Sequence, residues 1–240
     1  MTRPEFLKAI RALSARYVEG HGKLPDRSPL DSAGKRAAFA GFYAPIHFLT
    51  TRAIVSALGP ATSAMTSVID AGCGTGVAGA AVALEAGNQP AVTGIDLNTW
   101  VLDEARETWR SLGLRGRATR GDLVTELERL AATPDRSRAL EGVGVVLGWS
   151  LNELDRPGRD RAQRAIAGLA GRGVRILAIE PVARRLVPWW AEWAERSAAA
   201  GARSDEWRFP ADLPHVLANL DRDAGFHRDG LTARSVAFNW

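Results

Sequence analysis

The stretch Ser67-Val68-Ile69-Asp70-Ala71-Gly72-Cys73-Gly74-Thr75-Gly76-Val77-Ala78-Gly79 leaves the chain few architectures to choose from. Val68 and Ile69 are β-branched and apolar, as a buried parallel strand requires. Gly72, Gly74 and Gly76 follow at once, and a helical run from Val77 to Ala86 is stopped by Gly87-Asn88. The glycines reach dihedrals closed to other residues and let a ligand approach the backbone. The helix start presents unpaired N–H groups at its positive end. A strand, glycine turn and helix of this kind belong to an open α/β sheet, whose ligands bind at the carboxyl ends of the strands.

Two ligand classes use such a turn. Gly74, Gly76 and Gly79 fit a GxGxxG spacing, which seats the pyrophosphate of a dinucleotide. Asp70 at the strand end opposes that reading, because a carboxylate repels phosphate. It suits a cationic amino group, directly or through a water. S-adenosylmethionine carries both an ammonium and a sulfonium. A second strand, Ala91–Asp96, ends in a carboxylate 20 residues after Gly76. Asp96 can accept hydrogen bonds from both ribose hydroxyls, a geometry that serves NAD and S-adenosylmethionine alike. A nicotinamide oxidoreductase therefore stays open on Asp96 and is opposed by Asp70. Leu97 beside it is placed to flank an adenine.

Along the rest of the chain, Phe6, Ile10, Leu13 and Tyr17 recur on one helix face. Gly20 to Pro29 reads as loop. A helical region from about Ser32 to Leu58 contains Pro45, which predicts a kink or two helices. Residues 1–60 thus form an N-terminal helical cap, and residues 61–240 the ligand-binding domain. Within the cap His47 is a candidate base or a structural histidine. After the second strand, Asn98 caps a helix to Leu112, and a third strand exits at Asp122, followed by Leu123. Asp122 serves either as a helix N-cap or as a contact to a bound base. Gly142 to Gly148 is a strand buried on both faces. It delivers Trp149, Asn152 and Glu153 to the carboxyl edge, where the last two are either turn caps or contacts to an acceptor. A fifth strand ends in Glu180-Pro181. A long helix is predicted from Val182 to Ala200, bent at Pro188, with its tryptophans in the core. A final hairpin contains Leu231 to Trp240, its first strand unassigned.

The composition narrows the function class. With 46 % apolar and 24 % charged residues the chain is that of a soluble globular protein. No apolar run reaches the ~18 residues of a membrane span, and the first segment lacks a signal core, which predicts a cytoplasmic protein. Cys73 is the single cysteine, so no internal disulfide and no cysteine-based metal site forms. It reads as a small residue of the turn. The net charge of +4 permits nucleic-acid contact without arguing for it.

Asp70-Ala71-Gly72-Cys73-Gly74-Thr75-Gly76 closely resembles the first motif of class I S-adenosylmethionine-dependent methyltransferases. The resemblance implies a Rossmann-like α/β fold, a mostly parallel seven-stranded sheet with helices on both faces, here with the helical appendage in front. It implies that Asp70, Gly72, Cys73, Gly74 and Gly76 hold the methionine end of the cofactor, Asp96 and Leu97 the ribose and adenine, and Asp122 and Leu123 the adenine. Trp149 would face the sulfonium, and Glu153, His47 or Asn152 would serve the acceptor, a small molecule or RNA. Leu13-Ser14-Ala15-Arg16-Tyr17, Arg36 to Pro45, Leu151-Asn152-Glu153-Leu154 and Glu180-Pro181 also look like the methyltransferase-like proteins of the small ribosomal subunit. That likeness implies an alternative role as a ribosome- or RNA-associated assembly factor, although the cysteine cluster common in those proteins is missing.

Overall fold

The computed structural model describes residues 1–19, 30–59, 65–134 and 140–240. The loop expected over Gly20 to Pro29 lies outside the described residues. Seven strands form one sheet: β1 (Ser67–Ala71), β2 (Ala91–Asp96), β3 (Gly116–Arg120), β4 (Val143–Gly148), β5 (Arg175–Glu180), β6 (Arg203–Pro210) and β7 (Gly230–Phe238). Their order is β3-β2-β1-β4-β5-β7-β6. The first five run parallel, and β7 is antiparallel to both β5 and β6. The expected mostly parallel seven-stranded sheet is what forms. It departs from the 3-2-1-4-5-6 order of dinucleotide-binding folds by the last strand, which turns back between β5 and β6.

The sequence explains where the layers meet. β1 and β4 lie at the centre of the sheet, and Val143 to Leu147 are buried, as an apolar run without alternation demands. One face is covered by α6 (Leu123–Ala131), α7 (Arg156–Ala170) and α8 (Trp190–Ala199), through Leu127, Ile166, Leu169, Trp190 and Trp193. On the other face Ile54 and Val55 of α3 (Ala44–Leu58) meet Val82 of α4 (Val77–Glu85). There α5 (Thr99–Ser111) adds Leu102, Ala105 and the fully buried Trp109.

Trp109 organises that second face. Its indole N–H donates to the Gly76 carbonyl at 2.8 Å. A Cβ on Gly76, Gly94 or Gly116 would lie 2.7, 2.6 or 2.3 Å from the ring. Three glycines from three elements therefore make room for one tryptophan. For Gly76, the close approach that needs glycine is to this ring, with φ at 75° adding its own requirement.

The N-terminal helices are α1 (Arg3–Glu19), α2 (Ala33–Ala38) and α3. The region expected to kink or divide is two α-helices, α2 and α3, with Pro45 in the first turn of α3. A π-helical turn, Phe39–Tyr43, precedes it, with the Ala44 N–H bonded to the Phe39 carbonyl five residues back. The widened turn relieves the clash a proline ring makes in a regular α-helix. Ile10, Leu13 and Phe42 pack with Leu217, Leu220 and Ala224 of α9 (His215–Asp223) and with Leu231 of β7. The appendage thus sits on the last elements of the fold.

Two expectations need correction at the C-terminal side. The long helix from Val182 is reduced to α8, because residues 181–189 form successive turns, with Leu186 N–H to Ala183 O and Val187 N–H to Arg184 O. Pro188 stands just before α8 instead of bending it, since a proline is tolerated only where its N–H is not needed. The strand pairing with Leu231 to Phe238 is β6, and α9 lies between the two, so the pair is no tight hairpin.

Candidate functional site

The carboxyl ends of β1, β2, β4 and β5 open into a cavity of about 590 Å³, within the 300–1,000 Å³ range of small-molecule sites. Its floor includes Gly72, Cys73, Gly74 and Thr75. Asp96, Leu97, Asp122 and Leu123 form one wall, and Trp149, Asn152 and Glu153 another. Phe39, Tyr43, Ile46, His47 and Thr50 come down from the N-terminal helices. Of the site residues expected from sequence, Asp70 and Gly76 stand apart from this lining.

Asp70 lies behind the turn, with no exposed surface. Its Oδ2 accepts the Gly79 N–H at 2.7 Å, and Oδ1 has no hydrogen-bond partner among the described residues. A Cβ on Gly79 would sit 2.8 Å from that oxygen, so the glycine admits the carboxylate to the helix start. Burial pushes the Asp70 carboxyl up to about 8, aided by Asp96 and opposed by the Gly79 N–H. Asp70 ties β1 to α4 through one oxygen.

Asp96 is the carboxylate that reaches both turn and cavity. Its Oδ2 accepts the Gly74 N–H at 3.0 Å and its Oδ1 the Asn98 N–H at 2.9 Å. Burial raises its carboxyl above the usual range, against the pull of those N–H groups. Each oxygen keeps a further lone pair. Leu97 next to it is 61 % exposed, unusual for a leucine beside a buried carboxylate, and forms part of the cavity rim. Asp122 is the N-cap of α6 and a residue of the cavity wall. Its Oδ1 caps α6 through the Thr125 N–H and hydroxyl, each at 2.8 Å, and the residue also lines the cavity. Burial raises the Cys73 thiol, which suits a turn residue better than a nucleophile.

The opposite wall rests on Trp149. Its φ of 55° is rare for a bulky side chain, a strain typical of functional turns. Its N–H bonds Ile179 O at 2.8 Å, and the Ser150 hydroxyl bonds Ala71 O at 3.1 Å. A Cβ on Gly72 would lie 2.6 Å from Ser150, so the positive-φ glycine lets the two strand exits close on each other. His47 of α3 stacks flat on the Trp149 ring. Burial, with Arg228 adding to it, lowers the His47 imidazole to about 3.

Glu153 faces the cavity, and its carboxyl has no hydrogen-bond partner among the described residues. Its surface is accessible through the cavity interior while protein surrounds it. That enclosure, with Asp96 nearby, pushes the carboxyl up to about 7, near the value a general base needs.

Glu180, at the end of β5, holds this wall in place and escaped the sequence reading as a site residue. Its Oε1 accepts the N–H groups of Leu151 at 2.9 Å and Asn152 at 3.1 Å. The signal was available: Asp70, Asp96 and Glu180 are all acids at strand ends. Arg228 was also missed. It lines the cavity from the link between α9 and β7, lies against Phe42 and Phe226, and is ion-paired with Asp221. Among the described residues no helix is long and apolar enough to cross a membrane, and no group of side chains could hold a metal ion.

The whole chain has a Rossmann-like methyltransferase fold. Residues 49–132 match the family model of the methyltransferase small domain. NcsB1, an O-methyltransferase from neocarzinostatin biosynthesis solved with S-adenosylmethionine and 2-hydroxy-5-methyl naphthoic acid, is 20 % identical, with a TM-score of 0.56 over 98 % of this chain and 69 % of that one. The mitomycin 7-O-methyltransferase MmcR is 17 % identical, with a TM-score of 0.55 over 98 % and 66 %. The chain thus spans about two thirds of the length of these two enzymes. The 16S rRNA methylase RmtB is 18 % identical, with a TM-score of 0.47 over 99 % and 75 %. No curated protein matches the sequence.

Proposed function

We propose that the chain binds S-adenosylmethionine in this cavity and catalyses transfer of its methyl group to a nucleophile held beside Trp149 and Glu153. The observation that carries the reading is the charge of the cavity wall. Asp96, Asp122 and Glu153 face it, and the one arginine or lysine among the described lining residues, Arg228, is already paired with Asp221. A pyrophosphate would meet carboxylates there. A cationic nucleoside is what such a wall attracts.

The residues present fit that cofactor. The glycine turn offers open backbone at Gly72 and Gly74, with φ of 72° and 50°. Asp96 keeps lone pairs for two ribose hydroxyls, and Asp122 with the Leu123 backbone sits where an adenine needs polar partners. The cofactor supplies an electrophilic methyl on a positively charged sulfur. The protein's share is mostly position: Gly72, Gly74 and Asp96 fix the donor, and the Trp149 ring offers its negative face to the cationic end. Glu153 takes the acceptor's proton where the acceptor needs to lose one.

Isothermal calorimetry and thermal shift against S-adenosylmethionine, its demethylated product, NAD and NADP test the reading. A ligand of the native state raises its apparent stability. The first two are expected to bind and the last two not. Asp96→Ala is expected to weaken S-adenosylmethionine about tenfold or more, a lost hydrogen-bonded charge, with the far-ultraviolet circular dichroism unchanged. Preferential binding of NAD would overturn the proposal.

A further inference from the structure

Resting on that reading, we infer that the methyl acceptor is a small aromatic molecule with a phenol-type hydroxyl, whose proton is taken by Glu153, and that it is not a nucleic acid. Three features carry this. The first is the roof. Phe39, Tyr43, Ile46 and His47 close over the acceptor side, and their helices are seated on α9 and β7 by Ile10, Leu13, Phe42, Leu217 and Leu220. Arg3 reinforces the seat by its ion pair with Asp223. A polynucleotide would have to displace this packed layer to present a base.

The second feature is charge. Nucleic-acid sites bind phosphates with arginine and lysine. Here the one arginine among the described lining residues lies against two phenyl rings at 5.2 and 4.8 Å and is committed to Asp221. The remaining charged wall residues are carboxylates. The third feature is shape and polarity. Phe39, Tyr43, His47 and Trp149 bring four ring systems to one cavity, the lining that flat apolar guests prefer.

The choice of hydroxyl follows from the base. Glu153 is surrounded by Asp96 at the end of β2, Asp122 at the cap of α6, the Glu180 carboxyl behind its own turn with Arg159 of α7 beside that, and neutral His47 of α3. Its carboxyl near 7 lies within about three pH units of a phenol, and far below an aliphatic alcohol. In the step, the phenolic O–H proton passes to Glu153. An oxygen lone pair forms the O–CH₃ bond as the S–CH₃ bond breaks, and its electron pair stays on sulfur, giving the neutral thioether.

The test uses the full chain with S-adenosylmethionine and, as acceptors, catechol, 2-naphthol, benzylamine and total ribosomal RNA. Mass spectrometry reads the added methyl group, and calorimetry follows cofactor binding separately. Methylation of a phenol is expected, rising with pH through about 7. In Glu153→Gln it is expected to fall by about 10²-fold or more and lose that pH limb, with S-adenosylmethionine still bound through Gly72, Gly74 and Asp96. Methylation of RNA or of the amine, phenol methylation indifferent to Glu153→Gln, or cofactor binding with neither binding nor methylation of either phenol would overturn the inference. Absence of cofactor binding would sink the underlying reading instead.

Discussion

His47 lies flat on Trp149, with ring planes 8° apart and centroids 3.9 Å apart. The pair joins the appendage to the end of β4, and it decides what His47 can do. An imidazole stacked on indole and lowered to about 3 is neutral at any physiological pH and a poor base. The histidine is a wall element, which under the proposed function leaves the acceptor's proton to Glu153.

The first expected outcome follows from that neutral imidazole. Between about 6.5 and about 3 the unfolded chain takes a proton at His47 that the native state refuses, so acidification costs stability. Urea unfolding at pH 7 and pH 4.5 is expected to show a loss that His47→Phe reduces by about 1–2 kcal/mol, allowing for solvent screening of a partly exposed ring. Identical losses in both chains would refute a buried, neutral His47.

Asp70 works in the opposite direction. Its folded value near 8 lies above the usual 3.8, so its contribution is full below about 4 and is lost as pH rises through 8. Asp70→Asn keeps an acceptor for the Gly79 N–H without the charge. Melting curves are expected to show the wild type losing about 2 kcal/mol or more against the variant between pH 5 and pH 9. Parallel curves would show that Asp70 ionises freely.

The glycines around Trp109 make a mutant cycle possible. Gly116→Ala places a methyl 2.3 Å from the ring at a position with ordinary φ, so the cost is steric alone. It is expected to destabilise by about 1–3 kcal/mol, and to cost less than half of that in a Trp109→Leu background. Equal costs in both backgrounds would mean that the ring is not what the glycine accommodates.

Glu180 supports the acceptor wall without touching the cavity. Glu180→Ala leaves the Leu151 and Asn152 N–H groups buried without their carboxylate, at a cost of about 2 kcal/mol or more. Glu180→Gln retains the accepting oxygen and is expected to stay within about 1 kcal/mol of wild type. Turnover is expected to fall more than cofactor affinity in the alanine variant, and the glutamine variant to restore it. Loss of both in equal measure would contradict a positioning role.

Much of this was legible in the chain, and what was not has physical causes. Strand ends are written locally: Val68-Ile69-Asp70 and Val92-Thr93-Gly94-Ile95-Asp96 carry their periodicity and their terminal acids in a few residues. The mostly parallel sheet and the glycine turn followed. The side of the turn that Asp70 enters was not legible, because a sequence gives a residue's neighbours along the strand and not the direction of its side chain. Gly79, which admits that side chain, is nine positions away. Arg228 and Glu180 were missed because their partners, Phe42 and Leu151, lie far off in sequence. The change expected at Pro45 comes just before it, at a π-helical turn that separates α2 from α3 and has no simple residue signature.

The seating of α1 on α9 and on Leu231 sets an order of events during synthesis. Ile10 and Leu13 share their cluster with Ala38, Phe42 and Ile46, which follow soon after them, and with Leu217, Leu220 and Leu231, which come about two hundred residues later. The sheet can assemble its five parallel strands in the meantime. The roof over the chamber gains its full seat only once α9 and β7 have been made, so shielding of the site follows the parallel strands.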